Sequence, residues 1–272
     1  MIMDKYNTLI QYLKKLEKVI IAFSGGVDST FLLYAAKEAL GDNVKAVTIN
    51  SPYIANWEIE ESKEFTQKIG VKHDFLEVDV VQDIKHNPIN RCYLCKKYIF
   101  QKIIDKAKNE NYKYIIDGTN FDDIKDYRPG MKALKELEIV SPLLICEITK
   151  SDIREMAKDK QLEVWNKPSY ACLLTRIPHD TIIENTTLSR IEEAEKYLMN
   201  KGMRACRVRV HGNLARIELS KNDLSKIYDE KVRDNITDYF SRIGFYYTTL
   251  DLQGYKMGNF SIKDIEVGDK DE

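Results

Sequence analysis

The chain predicts an α/β fold: a mostly parallel sheet with helices on both faces, followed by a smaller α+β unit. Three observations lead there. Short apolar, β-branched runs alternate with stretches of helical period as far as Lys160. Glycines and other turn formers stand at the changeovers. The alternation then stops after Trp165, where a stretch carrying Pro168 and Pro178 leads into shorter elements.

Taken in order, Tyr6, Leu9, Ile10, Leu13 and Leu16 recur at helical spacing, so a helix opens the chain and packs on the first strand. Lys18 to Phe23 is that strand. It breaks at Ser24-Gly25-Gly26-Val27-Asp28-Ser29, and Phe31, Leu32, Tyr34, Ala35 and Leu40 mark a helix directly after. A strand feeding a Gly-rich turn and a helix N-terminus is a phosphate cradle, because the backbone can come close while unpaired N–H groups and the helix dipole face the anion. Ser24 and Ser29 add hydroxyls, and Asp28 is placed to hold magnesium on the phosphates. A Walker A loop is excluded, since no closing Gly-Lys-Ser/Thr follows at the right spacing. The plainer alternative is an ordinary tight turn of small residues.

Gly41-Asp42-Asn43 turns the chain into a second strand, Val44–Asn50. A helix over Asn56–Ile69 closes at Gly70. Phe75–Val80 reads as the third strand, Cys92–Glu110 as a long helix, and Tyr114–Gly118 as the fourth strand. Thr119–Gly130 reads as a polar surface loop, Ile139–Ile145 as a fifth strand and Thr149–Lys160 as a helix. Ligands of parallel sheets sit beyond the carboxyl ends of the strands, which sets Ser24–Ser29, Asn50–Ser51 and Gly118–Asn120 along one rim. After the irregular stretch from Asn166 to Asp180 come a helix (Leu188–Lys201), strands at Ala205–His211 and Asn213–Leu219, a helical pair between Asn222 and Ile243, and a last strand at Phe245–Leu252. The final dozen residues are charged and read as frayed. This places a first domain at residues 1–177 and a second at 178–272.

With a net charge of −1, the chain has no global attraction for nucleic acid or acidic membranes, so any anion site must be local. The N-terminus reads neither as a signal peptide nor as a membrane span, and the expectation is a cytoplasmic protein. Five cysteines, an odd number, argue against a disulfide framework and towards thiol or metal chemistry.

Cys92 and Cys95 stand at a helix start between Arg91 and Lys96-Lys97, where the dipole and cations lower a thiol's pKa, so both are expected to be available as thiolates. Alone, the pair is open between redox couple, half a zinc site and cluster ligands. Cys172, in the irregular stretch, is a third candidate. Cys146 and Cys206 occupy strand-like positions among apolar residues and read as buried hydrophobes. Arg207 and Arg209 share one strand face with His211 beyond, while Cys206, Val208 and Val210 face the core. Arg216 and Glu218 share a face on the next strand. Either this is a solvated face with cross-strand Arg–Glu pairs, or it captures an anionic substrate.

Ser24-Gly25-Gly26-Val27-Asp28-Ser29 resembles the PP-loop of ATP pyrophosphatases, whose fold is adenine nucleotide alpha-hydrolase-like. Together with Arg91-Cys92-Tyr93-Leu94-Cys95-Lys96, Asp117-Gly118-Thr119-Asn120, Asp126-Tyr127-Arg128-Pro129-Gly130 and Pro168-Ser169-Tyr170-Ala171-Cys172, it is similar to the LarE family of ATP-dependent sulfur transferases, which help build the nickel-pincer nucleotide cofactor of lactate racemase. The resemblance implies adenylation of a carboxylate of pyridinium-3,5-biscarboxylic acid mononucleotide, then replacement of AMP by sulfur, twice. It implies ATP bound at Ser24, Gly25, Gly26, Val27, Asp28, Ser29, Asn50 and Gly118, with Mg²⁺ on Asp28. It also implies a substrate phosphate at Arg207 and Arg209, with Arg176 nearby, and a homo-oligomer, hexameric by resemblance. Cys172 is by resemblance the sulfur-bearing cysteine. Relatives with that cysteine alone sacrifice its sulfur. This chain adds Cys92 and Cys95, and three thiolates can hold a [4Fe–4S] cluster with one iron open. One departure is Pro178-His179-Asp180, where the family would have an aromatic residue and a glycine. Competing readings are an amide ligase sharing the loop, a tRNA-thiolating enzyme, which should carry a basic RNA-binding surface, and a non-enzymatic nucleotide sensor.

Overall fold

Alternate residues of the first strand serve two different cores: Val19 and Ile21 join one, Ile20 the other. A strand buried on both faces is what a parallel sheet covered by helices requires. The computed structural model describes residues 2–125, 129–168 and 170–255. These fall into two units, residues 2–84 with 89–170, and residues 85–88 with 171–255. Cys172 thus belongs to the second unit, whereas a division after residue 177 would put it in the first.

The first unit runs α1 (Ile2–Lys14), β1 (Val19–Ala22), α2 (Val27–Leu40), β2 (Val44–Asn50), α3 (Asn56–Ile69), β3 (Lys72–Glu77), α4 (Arg91–Asn109), β4 (Tyr114–Ile116), α5 (Pro129–Glu136), α6 (Pro142–Ile145) and α7 (Lys150–Asp159). The four strands are parallel in the order β3-β2-β1-β4. Apolar residues of α1, α2 and α7 fill one core. Phe100, Ile103 and Ala107 of α4, with Leu134 of α5, fill the other.

Four expectations need correction. The third strand lies earlier than Phe75–Val80, because at the sheet's edge it tolerates Lys72, His73 and Asp74. Ile139–Ile145 is not a strand: a single bridge joins Val140 to Ile116, and Pro142 then starts a helical turn. In the described part of the expected Thr119–Gly130 surface loop, Thr119, Asn120 and Asp123 are buried rather than solvated. Cys146 follows that helical turn and is half-buried rather than a core strand residue.

His73 ties the edge strand to the residue before the Gly-rich turn. Thr48 Oγ1 donates to the Phe23 carbonyl at 2.6 Å and lies 2.7 Å from His73 Nε2, so Nε2 carries the ring proton; Nδ1 faces Thr66 Oγ1 at 2.9 Å. Burial pushes the His73 pKa down to about 4. The unfolded chain therefore takes up a proton that the folded one refuses, and His73 costs stability as pH falls from 6.5 towards 4. In urea titrations, His73→Gln should lose less stability than the wild type between pH 7 and pH 4.5. Equal losses would place the acid sensitivity elsewhere.

The second unit comprises α8 (Asn185–Asn200), β5 (Cys206–His211), β6 (Leu214–Leu219), α9 (Glu230–Arg242) and β7 (Tyr247–Leu250). β6 lies between β5, antiparallel to it, and β7, parallel to it. Asp180, in the Pro178-His179-Asp180 stretch that departs from the family pattern, adopts φ +57°, the left-handed region. Buried Asn87 ties this turn down: its amide donates to the Ile177 and Pro178 carbonyls, both at 2.9 Å, and its carbonyl accepts from the Asp180 N–H at 3.3 Å. The charged last dozen residues lie outside the described residues. Among the described residues no helix is long and apolar enough to cross a membrane.

Candidate active site

The Gly-rich turn at the carboxyl end of β1 is held open by its own serines. Ser29 Oγ donates to the Gly26 carbonyl at 3.2 Å, which leaves Ser24 Oγ to donate to Ser29 Oγ at 3.1 Å. Gly26 N–H donates to Ser24 Oγ at 3.4 Å. Gly25 takes φ +66° with Ser62 of α3 close beside it, so the turn demands a residue without a Cβ. Gly26 caps α2 without a side-chain hydrogen bond, leaving first-turn N–H groups for an anion. Val27 is buried in the core and acts by its backbone alone.

Gly118 approaches the same turn from the end of β4. A Cβ there would lie 2.9 Å from the Ser29 nitrogen, so only glycine permits this contact. Behind it, Asp117 accepts from Thr119 Oγ1 at 2.5 Å and from Ser141 Oγ at 2.6 Å, and Asp123 accepts from the Asn120 N–H at 3.0 Å. Asn50, at the end of β2, donates to Glu77 at 2.9 Å. The carboxyl ends of β1, β2 and β4 therefore form one rim.

Two lysines that sequence reasoning missed converge on this turn. Lys150, the first residue of α7, places Nζ 2.5 Å from Asp28 Oδ2. Lys167 donates to the Gly25 carbonyl at 2.9 Å and pairs with Glu61. Their separation in sequence from Asp28 and Gly25 hides both; the only local signal is the capping box of Thr149 and Asp152 that positions Lys150. Burial raises the Asp28 pKa above its ordinary value, against the opposing pull of Lys150 and Asn120. Asp28 Oδ1 is buried and accepts no hydrogen bond among the described residues. A buried carboxylate oxygen in this condition fits a hard cation such as Mg²⁺.

All five cysteines are thiols. Cys92 and Cys95 lie on the first turn of α4, one exposed and one half-buried, with the Tyr53 hydroxyl 3.4 Å from Cys95 Sγ. Burial raises the Cys95 pKa and outweighs Tyr53 and Lys96, so the expected ready thiolate is corrected at that sulfur. Spaced three residues apart on one helix, the two sulfurs suit a shared metal group. Among the described residues, no group of three or more His, Cys, Asp or Glu comes together as a metal site.

In the second unit Cys172 precedes a short 3₁₀ turn, Leu173–Arg176, and is half-buried. Arg176, expected near substrate, is instead 1% exposed and engaged internally. Its Nε and Nη2 each donate to Glu195 at 2.9 Å, while Nη1 donates to the carbonyls of Ala171 at 2.6 Å and Cys172 at 3.1 Å. Arg207 and Arg209 do share a face with Arg216 and Glu218, but that face is buried rather than solvated. Arg209 grips Glu218 with two bonds of 3.0 Å and also reaches the Thr175 carbonyl. Arg207 donates to the Cys206 carbonyl at 2.7 Å and lies over the Tyr255 ring. Cys206 is buried, with its pKa pushed up by desolvation. Asp126, Tyr127, Arg128 and Ser169 lie outside the described residues.

Residues 18–121, from the first strand to the rim beyond β4, match the family described as queuosine biosynthesis protein QueC. A pyridinium-3,5-bisthiocarboxylic acid mononucleotide synthase of Lactiplantibacillus plantarum is 35% identical over 261 residues, 94% of each chain. The chain belongs to the LarE family. It is an ATP-dependent sulfurtransferase of PP-loop fold. An uncharacterized protein of Synechocystis is similar along nearly its whole length, 36% identical over 96% of this chain and 98% of its own. A tRNA-specific 2-thiouridylase of Clostridium perfringens is 26% identical over 56% of this chain and 53% of its own, a likeness confined to part of each chain.

Proposed function

We propose that this LarE-family enzyme adenylates a carboxylate of pyridinium-3,5-biscarboxylic acid mononucleotide and replaces AMP with sulfur, twice. The observation that carries this is the serine-braced turn with Asp28, in a chain similar over 94% of its length to a synthase of the dithiocarboxylate product. The substrate carboxylate attacks the α-phosphorus of ATP. The bond from that phosphorus to the β-bridging oxygen breaks, and its electron pair leaves with pyrophosphate. The α2 N-terminus, Ser24 and Ser29 bind the phosphates, while Asp28 holds Mg²⁺, which offsets developing charge. Asn50 and Gly118 border the nucleotide on the same rim.

In the second unit one carboxylate, Glu218, serves both Arg209 and Arg216. Arg207 and Arg209, side by side on one face of β5, would take the substrate phosphate there. For the sulfur, Cys92, Cys95 and Cys172 would hold a [4Fe–4S] cluster, which when bound supplies a replaceable sulfide on the iron that no protein thiolate takes. The enzyme would act in the cytoplasm as a homo-oligomer, with lactate racemase maturation as the destination.

The test is anaerobic. Purified protein should contain about four irons per chain and lose them in Cys92→Ala, Cys95→Ala or Cys172→Ala. An iron-free protein whose Cys172 loses the mass of one sulfur on turnover would establish the sacrificial route. Release of ADP and orthophosphate in place of AMP and pyrophosphate would overturn the reaction itself.

A further inference from the structure

We propose that Lys150 and a divalent cation compete for the Asp28 carboxylate, and that Lys150, once displaced, pairs with the phosphates of ATP as a catalytic residue. The inference deepens the proposed function and rests on its assignment of Asp28 to the metal.

Lys150 Nζ lies 2.5 Å from Asp28 Oδ2, and that carboxylate's other oxygen is buried and accepts no hydrogen bond among the described residues. Two cations cannot share so enclosed a carboxylate without strong mutual repulsion, and the divalent ion is the stronger competitor. The backbone of Lys150 cannot follow its side chain. Its N–H is held by Asp122 Oδ2 at 2.8 Å, and the preceding Thr149 is locked into a capping box with Asp152, itself paired with Lys5 at 2.7 Å. The flexible stem, about a third exposed, can swing about this fixed root. Lys167, the other ammonium at the turn, is already engaged by Gly25 and Glu61. Besides the carboxylates of Asp122, which holds the Lys150 N–H, and of Asp123, which acts on Asp28, the anions within reach of a displaced Lys150 are those that the α2 N-terminus is built to receive. When the bond to the β-bridging oxygen breaks, charge collects on the departing pyrophosphate, and a paired ammonium stabilises it without any proton transfer.

The prediction has opposite signs for binding and turnover, which a merely structural lysine would not produce. Lys150→Met removes the competitor, so nucleotide-free protein should bind Mn²⁺ about ten-fold tighter, read by electron paramagnetic resonance. The same variant should release pyrophosphate about a hundred-fold more slowly, with an unchanged thermal midpoint, and Lys150→Arg should recover part of the rate. Unchanged or weaker Mn²⁺ binding in Lys150→Met, with binding abolished in Asp28→Asn, would overturn the Lys150 proposal alone. Mn²⁺ binding that survives Asp28→Asn would overturn the assignment of Asp28 and, with it, this one.

Discussion

Asp28→Asn should lower pyrophosphate release about a thousand-fold, the equivalent of about 4 kcal/mol of transition-state stabilisation. The substitution keeps the shape of the side chain and removes the charge that would hold Mg²⁺ against the phosphates. It also releases Lys150, whose ammonium lies 2.5 Å from Oδ2. Metal-free ATP binding should therefore be retained or tightened even as turnover collapses, a split that unfolding could not give. The fold should survive, because the serine bonds and the Gly25 and Gly118 contacts that shape the turn do not involve the Asp28 side chain. Calorimetry of ATP binding without metal, alongside a pyrophosphate assay with it, checks both halves. Near-normal turnover in Asp28→Asn would remove the carboxylate from the reaction.

What the sequence disclosed followed from how local each signal was. Val44–Asn50 and Asn56–Ile69 were legible because continuous apolar runs and helical spacing ended in turn residues that did what such residues usually do. The third strand was misplaced because His73 and Asp74 look like loop residues until Thr48, Thr66, Lys45 and Lys106 satisfy them. Thr119, Asn120 and Asp123 looked solvated for the same reason: their polarity is spent on one another and on backbone. Period-two spacing correctly grouped Arg207 with Arg209, but burial of that face depends on Glu218 across the strand pair and on Tyr255, 48 residues along the chain from Arg207. Lys150 and Lys167 were illegible because each meets the turn across more than a hundred residues. Pattern reading reveals which residues lie on one face, not which distant charges they will meet.

Glu195→Gln should be among the most damaging single changes in the second unit, costing about 3–5 kcal/mol. Burial alone would raise the Glu195 pKa, but Arg176, Arg207 and the Val208 N–H hold its carboxyl below the usual range, so it is ionised where it lies. It accepts two bonds from Arg176 and one from Val208 N–H, all at 2.9 Å. The amide leaves the Arg176 guanidinium, itself 1% exposed, facing a neutral group that cannot match both of its donors. Replacing both partners, Arg176→Met with Glu195→Leu, should recover part of that stability, because well-packed apolar side chains often substitute for a buried pair at little cost, while the Val208 N–H is left without its acceptor. The double variant separates folding from function. Arg176 also donates to the carbonyls of Ala171 and Cys172, so its loss frees the backbone that presents the Cys172 sulfur. Urea unfolding should thus place the double variant between the wild type and Glu195→Gln, while sulfur transfer by the double variant stays at least about ten-fold slow and pyrophosphate release is spared. Wild-type sulfur transfer in a stable double variant would reduce Arg176 to a purely structural residue.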